Sequence, residues 1–149
     1  MTMANSPVVR FSVLAVRRGL SLGVLYSTNR DDFALLLAVA AAAFQPTRTY
    51  TEREVNEVLR EWLGTIGTMI DIDHVELRRW LVDSQLLNRD GFGRAYTSGR
   101  PSPELAALVA TLSGVDLAAV VGGAWREREE RKQKWVGSSA DPKQRARGG

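Results

Sequence analysis

The sequence contains no cysteine and only one histidine, His74. Without cysteine, no disulfide framework can form and no thiolate is present to act as a nucleophile or a metal ligand. A zinc site of the usual kind needs several cysteine or histidine ligands, so that class of site is excluded. Nothing in the sequence places a nucleophile beside a base. We therefore expect a cytoplasmic protein that is not an enzyme and that carries no cofactor.

The sequence also lacks a hydrophobic run long enough to span a membrane. Its longest apolar run is residues 33–44, whereas a spanning helix needs about 20 residues. Asp31 and Asp32 come directly before this run, where a secretory signal peptide would carry positive charge, so a signal peptide is the weaker interpretation. The run instead predicts a buried first helix, capped by Asp31 or Asp32 and stopped by Pro46, and we expect no membrane partner.

The body of the chain carries no net positive charge, although the pI of the whole chain is near 9.7. Residues 125–149 hold eight Lys/Arg against four acids, whereas residues 1–124 hold twelve against thirteen. The basicity therefore belongs to the C-terminal end. Residues 136–149, rich in Gly, Ser, Lys and Arg, are predicted to form a disordered basic tail. If the protein meets DNA, we expect weak binding that this tail assists.

A capped helix is predicted to begin at Thr51. The Thr51 hydroxyl can accept a hydrogen bond from the first turn, and Glu54 three residues later completes a capping box. Apolar residues recur at helical spacing at positions 55, 58, 59 and 62. Gly64 and Gly67 are predicted to end the helix. Residues 48–50 are predicted to form a short strand before it.

A second capped helix and a hairpin follow this first one. Asp73 is the predicted N-cap, with Glu76 at the third helical position, and the inward stripe is Leu77, Trp80, Leu81 and Ser84. Asp90-Gly91 is a strong hairpin signal, and Gly93 leaves room for a longer loop. The predicted fold is mainly α with a small β-hairpin: a winged-helix-like core with a C-terminal helical extension.

Three linked groups of residues resemble the bacterial domain of unknown function 2087. They are Tyr50, Thr51, Glu54, Val55, Asn56 and Leu59; then Asp73, His74, Leu77, Arg78, Arg79, Leu81, Val82 and Asp83; then Leu86, Leu87, Arg89, Gly93, Arg94 and Tyr96. The resemblance covers about residues 30–99. It implies a winged-helix-like fold and an association with helix-turn-helix transcriptional regulators, and it implies no reaction. The joint at residues 64–72 looks longer than the family's usual turn.

The flanks of this core are less regular. Residues 1–29 form an N-terminal arm for which three interpretations stay open: a strand or hairpin from the alternation at residues 9–15, a disordered or start-site extension, or a targeting segment containing Arg17-Arg18. The core domain is placed at residues 30–100. Residues 101–135 are predicted to form C-terminal helices capped by Ser102 and Asp116, with Gly122-Gly123 breaking or bending the second.

Four arginines are the candidate contacts to nucleic acid or a partner protein. Arg78 and Arg79 lie on the second capped helix, and Arg89 and Arg94 flank the hairpin turn at Gly91. The alternative is a structural role, with Arg79 paired to Asp83 and Arg78 paired to Glu54 or Glu57. The remaining motif residues, including His74, Asn56 and Tyr96, are expected to be structural.

Two functions remain open from the sequence. The first is a non-enzymatic regulatory module of winged-helix type, linked to transcription, whose DNA contact is unproven. The alternative is a protein- or ligand-binding module that uses the same scaffold, with the C-terminal helix serving self-association. Its partners would be DNA in the first case, and another regulatory protein, a ligand or a second copy in the alternative.

Overall fold

The computed structural model describes residues 6–92 and 94–148, with side chains described as far as residue 136. The elements in chain order are α1 (Pro7–Ala15), α2 (Leu22–Thr28), α3 (Arg30–Ala41), β1 (Tyr50–Thr51), α4 (Glu52–Thr65), α5 (His74–Asp83), β2 (Leu87–Arg89), β3 (Ala95–Ser98), α6 (Pro103–Ser113) and α7 (Leu117–Gly148). The fold is mainly helical with a small antiparallel sheet, as the sequence predicts.

Helix α3 lies at the centre of the core, and six consecutive residues from Leu35 to Ala40 are buried. The prediction that this apolar run forms a buried helix is confirmed. Its predicted cap is wrong: Asn29, rather than Asp31 or Asp32, accepts the hydrogen bond from the first turn, at Asp32 N. Asp32 is instead buried and paired with Arg10, so its carboxylate serves a tertiary contact.

The N-terminal arm is helical within the described residues. Ser6 caps α1 and Pro7 occupies its first turn, a favourable start for a helix. Phe11, Leu14 and Ala15 are buried in the core. The strand interpretation of this segment is therefore wrong, because Phe11, Leu14 and Ala15 fit a helical face at spacings of three and four rather than an alternating one. Helices α1 and α2 also contradict disorder over their own residues, while the start-site and targeting interpretations stay predictions.

The joint between α4 and α5 packs against the same arm. Leu20 N–H donates to Met69 O over 2.9 Å, and Asp71 N–H donates to Leu20 O over 2.8 Å. These bonds form a parallel bridge between Leu20 and Ile70, and Met69 is fully buried. The long joint thus covers part of the core.

Both central helices begin where the sequence predicts. Thr51 and Glu54 form a complete reciprocal capping box on α4, and Asp73 caps α5 by accepting from Glu76 N. The predicted end of α4 is only partly right, because the helix continues through Gly64 to Thr65. The Gly67 N–H then donates to Trp62 O, so Gly67 rather than Gly64 closes the helix.

The sheet has the strand order β1-β3-β2 and is antiparallel throughout. Tyr96 on the middle strand is opposite Tyr50 on one side and Arg89 on the other. The Asp90 carboxylate accepts from the backbone N–H groups of Phe92 and Arg94, which shapes the loop containing Gly91. The predicted hairpin and its longer loop are confirmed, while Gly93 lies outside the described residues.

Helix α6 packs against α3, and α7 packs against α1. Ser102 and Asp116 accept first-turn hydrogen bonds from Leu105 and Ala119, as predicted. The predicted break at Gly122-Gly123 is wrong, because α7 runs through both glycines. Val121 and Ala124 are buried beside them, and that packing outweighs the low helix propensity of glycine. The predicted disordered tail falls on residues whose side chains lie outside the described part, and it stays a prediction.

Among the described residues, no individual helix is both long and apolar enough to cross a bilayer. The pair formed by α6 and residues 117–136 reaches that length and composition only when both helices are counted together across a bend of 77°.

Candidate functional site

A small cavity of about 220 Å³ lies where α5 meets the hairpin. Its lining comprises Val75, Arg78, Arg79, Val82, Asp83, Arg89 and Tyr96. Three of the four arginines proposed as contacts therefore lie on one cavity: Arg78 and Arg79 from α5, and Arg89 from β2. The fourth, Arg94, is exposed at the hairpin and does not line it.

Arg78 is held in place from behind by helix α4. Its Nη1 donates to Asn56 Oδ1 over 2.5 Å, and its Nη2 lies 3.9 Å from Glu52 Oε1. The side chain is only 19% exposed. The predicted structural pairing is thus present with different partners, Glu52 and Asn56, instead of Glu54 or Glu57. The reason is helical geometry: Glu52 and Asn56 are four residues apart and share one face of α4.

Tyr96 completes this network from β3. Its hydroxyl donates to Glu52 Oε1 over 3.1 Å, and its ring is almost fully buried. Burial and the hydrogen bond to Glu52 raise the pKa of Tyr96, while the nearby Arg78 and Arg89 act in the opposite direction. The network of Glu52, Asn56, Arg78 and Tyr96 therefore joins α4, α5 and β3.

Arg79 differs from its neighbour because it is exposed to solvent. The predicted ion pair between Arg79 and Asp83 is not formed, and within the described residues Arg79 has no ion pair or hydrogen bond of its side chain. Arg89 on β2 is likewise exposed and has no ion pair in this part of the chain. Both guanidinium groups are thus free to bind an anion.

A second cavity of about 420 Å³ continues on the other side of β2. It shares Val82 and Arg89 with the first, and it adds Arg100 and the polar residues Asn88 and Ser98. Arg100 is a lining residue that the sequence analysis missed. Its only sequence signal is its position two residues after the strand that ends the hairpin.

The other motif residues form a structural corner around the start of α4. Arg48 pairs with Glu54 over 2.8 Å and lies 4.5 Å above the Tyr50 ring. The Tyr50 hydroxyl accepts from Gln45 N over 2.8 Å. The hydrogen bond from the Thr51 backbone, together with Arg48, lowers the pKa of Glu54. These contacts support the strand and the helix start, and they present no group for binding.

His74 begins α5 and lies beside an arginine. Its Nε2 is 3.4 Å from Arg60 Nη2. No group of three His, Asp or Glu side chains suited to a metal ion is found among the described residues. The carboxylates of Asp83 and Glu76 lie on the same helix as the arginines, so the charge of this face is mixed.

The amino-acid sequence of this region matches a known family. Residues 25–98 match the family described as "Uncharacterized protein conserved in bacteria (DUF2087)". This segment is a DUF2087 domain. The match covers α3 to β3, together with the end of α2, and confirms the family resemblance seen in the sequence. No curated protein and no solved structure shows significant similarity to the chain.

The DUF2087 segment contains the whole Arg78 network together with the exposed cavity residues Arg79 and Arg89. Glu52, which the sequence analysis missed, lies one position after the Thr51 cap. The signal that could have found it is its spacing from Asn56, since residues four apart on a helix lie on one face. Arg100 and the helices α1, α6 and α7 lie outside the DUF2087 segment.

Proposed function

We propose that this protein is a non-enzymatic regulatory module of winged-helix type that acts in transcription. Its contact face is α5 and the hairpin, and it meets DNA weakly, through phosphates rather than base edges. The basic tail adds to this contact through Lys143, Arg145 and Arg147. The observation that carries the proposal is that two exposed arginines, Arg79 and Arg89, which form no ion pair with any described residue, reach one cavity from α5 and β2.

The order of the elements supports the winged-helix part of the proposal. A helix (α3), a strand (β1), two helices (α4 and α5) and a hairpin follow each other, with β3 lying between β1 and β2. In a winged helix the second helix of the pair enters the major groove and the hairpin contacts the adjacent backbone. Here α5 and the hairpin take those two roles.

The mixed charge of the same face supports weak binding. Glu76 and Asp83 lie on α5 beside Arg79, and both carboxylates repel phosphate. Arg78 is held by Glu52 and Asn56, so it serves to position α5 and is withdrawn from base contact. Phosphate contacts fix orientation but carry no sequence information, and we therefore expect little discrimination between duplexes.

The test is a salt series of binding to a random-sequence duplex, followed by fluorescence anisotropy. The double variant Arg79→Ala/Arg89→Ala should flatten the slope of log K against log salt by about 1.8, since each lost phosphate contact on B-DNA removes about 0.9. The matched control is Arg17→Ala/Arg126→Ala, which removes two exposed arginines, one just after α1 and one in α7. Its slope should stay close to that of the unaltered chain.

Deleting residues 137–149 tests the contribution of the tail separately. The deletion removes Lys143, Arg145 and Arg147, so the slope should fall by about three or less. Equal slopes for the Arg79/Arg89 variant and the Arg17/Arg126 control would refute contact through α5 and the hairpin. Loss of affinity for one duplex by more than about 1–3 kcal/mol on Arg78→Ala, at unchanged stability, would make α5 a base reader.

A second candidate, self-association through α7, rests on a different observation. Trp135 is 71% exposed and Val136 is 58% exposed, although both are apolar. A contact with a second copy would remove this surface from water. Sedimentation equilibrium tests it: the chain should dimerise and Trp135→Ala should return it to a monomer. A chain that is monomeric at all concentrations rejects this candidate and leaves the DNA proposal standing.

A further inference from the structure

A larger cleft lies among helices α1, α3 and α6. Its volume is about 670 Å³, within the range of small-molecule sites in proteins, roughly 300–1,000 Å³. One part of its wall is apolar: Pro7, Ala34, Leu35, Leu105 and Leu108. The rest is polar and charged: Arg10, Asn29, Asp31, Asp32, Ser102 and Glu104.

The polar wall is built around a buried ion pair. Arg10 donates from Nε to Asp32 Oδ1 over 2.9 Å and from Nη2 to Asp32 Oδ2 over 2.6 Å. Asn29 Nδ2 donates to the same Oδ2 over 2.8 Å. Asp32 is 5% exposed, so these three bonds hold it rigidly. Arg10, the only basic residue in the lining, is therefore already paired with Asp32.

The two other carboxylates of the cleft are not neutralised. Asp31 and Glu104 are exposed, and neither makes an ion pair or a side-chain hydrogen bond within the described part of the chain. Each lies in the first turn of a helix, where a carboxylate is favourable before any ligand arrives. The lining therefore carries three acids against one base, and its apolar side strengthens the resulting negative field.

We propose that this cleft binds a small organic cation: a protonated amine carried on an apolar body. The ammonium group lies at Asp31 and Glu104, and the apolar body packs against Leu35, Leu105 and Leu108. Only α3 among the three helices belongs to the DUF2087 segment, so the site is a property of this chain with its flanking helices. The proposal stands independently of DNA binding.

The probe is 2-phenylethylamine, compared with 2-phenylethanol and 3-phenylpropanoate by isothermal titration calorimetry on the full chain at neutral pH. The three compounds share a phenyl-ended body and differ in charge. The amine should bind about tenfold or more tightly than the alcohol, because an ammonium gains the attraction of two carboxylates at the cleft. The carboxylate should bind least. Amide shifts in the ¹H–¹⁵N spectrum should centre on Ala34, Leu35, Leu105 and Leu108.

Two variants distinguish the effect of the carboxylate charges on amine binding from the effect of the shape of the cleft. Asp31→Asn/Glu104→Gln should bring the amine down to the affinity of the alcohol, whereas the control Asp71→Asn/Glu61→Gln removes two exposed carboxylates elsewhere and should change nothing. Ala34→Leu should weaken amine and alcohol alike by filling the cleft. Thermal melts confirm that each variant is folded, and any variant that does not melt cooperatively is replaced by the corresponding single substitution.

The proposal is overturned by any of three results: no amine binding, equal binding of amine and alcohol, or amine binding that survives Asp31→Asn/Glu104→Gln. Equal binding would mean that Asp31 and Glu104 serve only the helix starts. None of these results bears on the salt dependence of DNA binding, so the two proposals fail separately.

Discussion

At the residue scale, Arg78 and Arg79 are adjacent on α5 but have different environments. Arg78 is mostly buried and bonded to Asn56 and Glu52, whereas Arg79 is exposed and unpaired within the described residues. A residue's neighbours in sequence therefore say little about its role, because successive positions on a helix point about 100° apart. Arg78 belongs to the fold, and Arg79 is available for binding.

We expect Arg78→Ala to destabilise the protein by about 1–3 kcal/mol, because Asn56 loses a charged hydrogen-bond donor and Glu52 loses an ion-pair partner. Arg79→Ala should stay within about 0.5 kcal/mol of the unaltered chain, as exposed substitutions usually do. Urea denaturation of both variants measures the difference. Equal effects of the two substitutions would contradict the assignment of Arg78 to the fold.

The capping box at Thr51 should make stability depend on acid pH. The pKa of Glu54 is lowered in the folded state by the Thr51 backbone and Arg48, so its contribution is present above its unfolded pKa, about 4.3. It is lost as pH falls through the lower folded pKa. Urea denaturation between pH 2 and pH 7 should show a smaller acid loss for Glu54→Gln than for the unaltered chain. A profile that is the same for both would show that Glu54 is not linked to folding.

At the element scale, the end of α4 depends on a close approach between a glycine and an aromatic ring. A Cβ at Gly67 would lie 2.1 Å from Cζ3 of Trp62, and Trp62 is 2% exposed, so its ring has no room to move. Gly64 lies one turn earlier in the helix and has no atom within 4 Å of its would-be Cβ. Only one of the two glycines that the sequence places at this helix end is therefore required.

Gly67→Ala should cost about 1–3 kcal/mol, the usual effect of forcing extra volume into a packed core. The matched substitution Gly64→Ala should instead stabilise by about 0.5–1 kcal/mol, because alanine is the better helix former. Thermal melts of both variants give opposite shifts if this packing is right. A neutral Gly67→Ala would show that Trp62 repacks.

At the scale of the whole molecule, the DUF2087 segment does not complete the core. Phe11, Leu14 and Ala15 of α1 and Leu112, Val121 and Ala124 of α6 and α7 are buried together with the residues of α3. Leu20 also pairs with the α4–α5 joint. Helices α1, α6 and α7 are therefore part of one packed unit with the segment. The cleft proposed to bind an amine is lined by α1 and α6 where they meet α3.

Because the N-terminal arm and the DUF2087 segment share one core, a core residue of the arm should contribute as much to stability as one within the segment. Phe11→Ala should destabilise by about 3–5 kcal/mol, the range for truncating a buried phenylalanine. Val13→Ala on the same helix, at a position that is 44% exposed, should stay within about 0.5 kcal/mol. Chemical denaturation checks both, and a mild Phe11→Ala would mean that α1 is dispensable.

Much of the central fold is predictable because its signals are local. The caps at Thr51, Asp73 and Ser102 each need only residues within one turn, and the Asp90 loop needs only its own five residues. Arg10 and Asp32 could not be paired in this way, because they lie 22 positions apart. The same holds for Arg78 and Asn56.

The sequence alone was enough for the starts of α4, α5, α6 and α7, the hairpin, the buried apolar run and the neutral charge of the body, since each depends on residues close together or on composition. Packing across the chain settled the rest. Packing makes residues 7–15 helical and lets α7 continue through Gly122-Gly123. It also leaves Arg78 mostly buried while Arg79 is exposed. Burial against distant elements outweighs local propensity by several kcal/mol for a large side chain, and that burial is visible only once the elements are assembled.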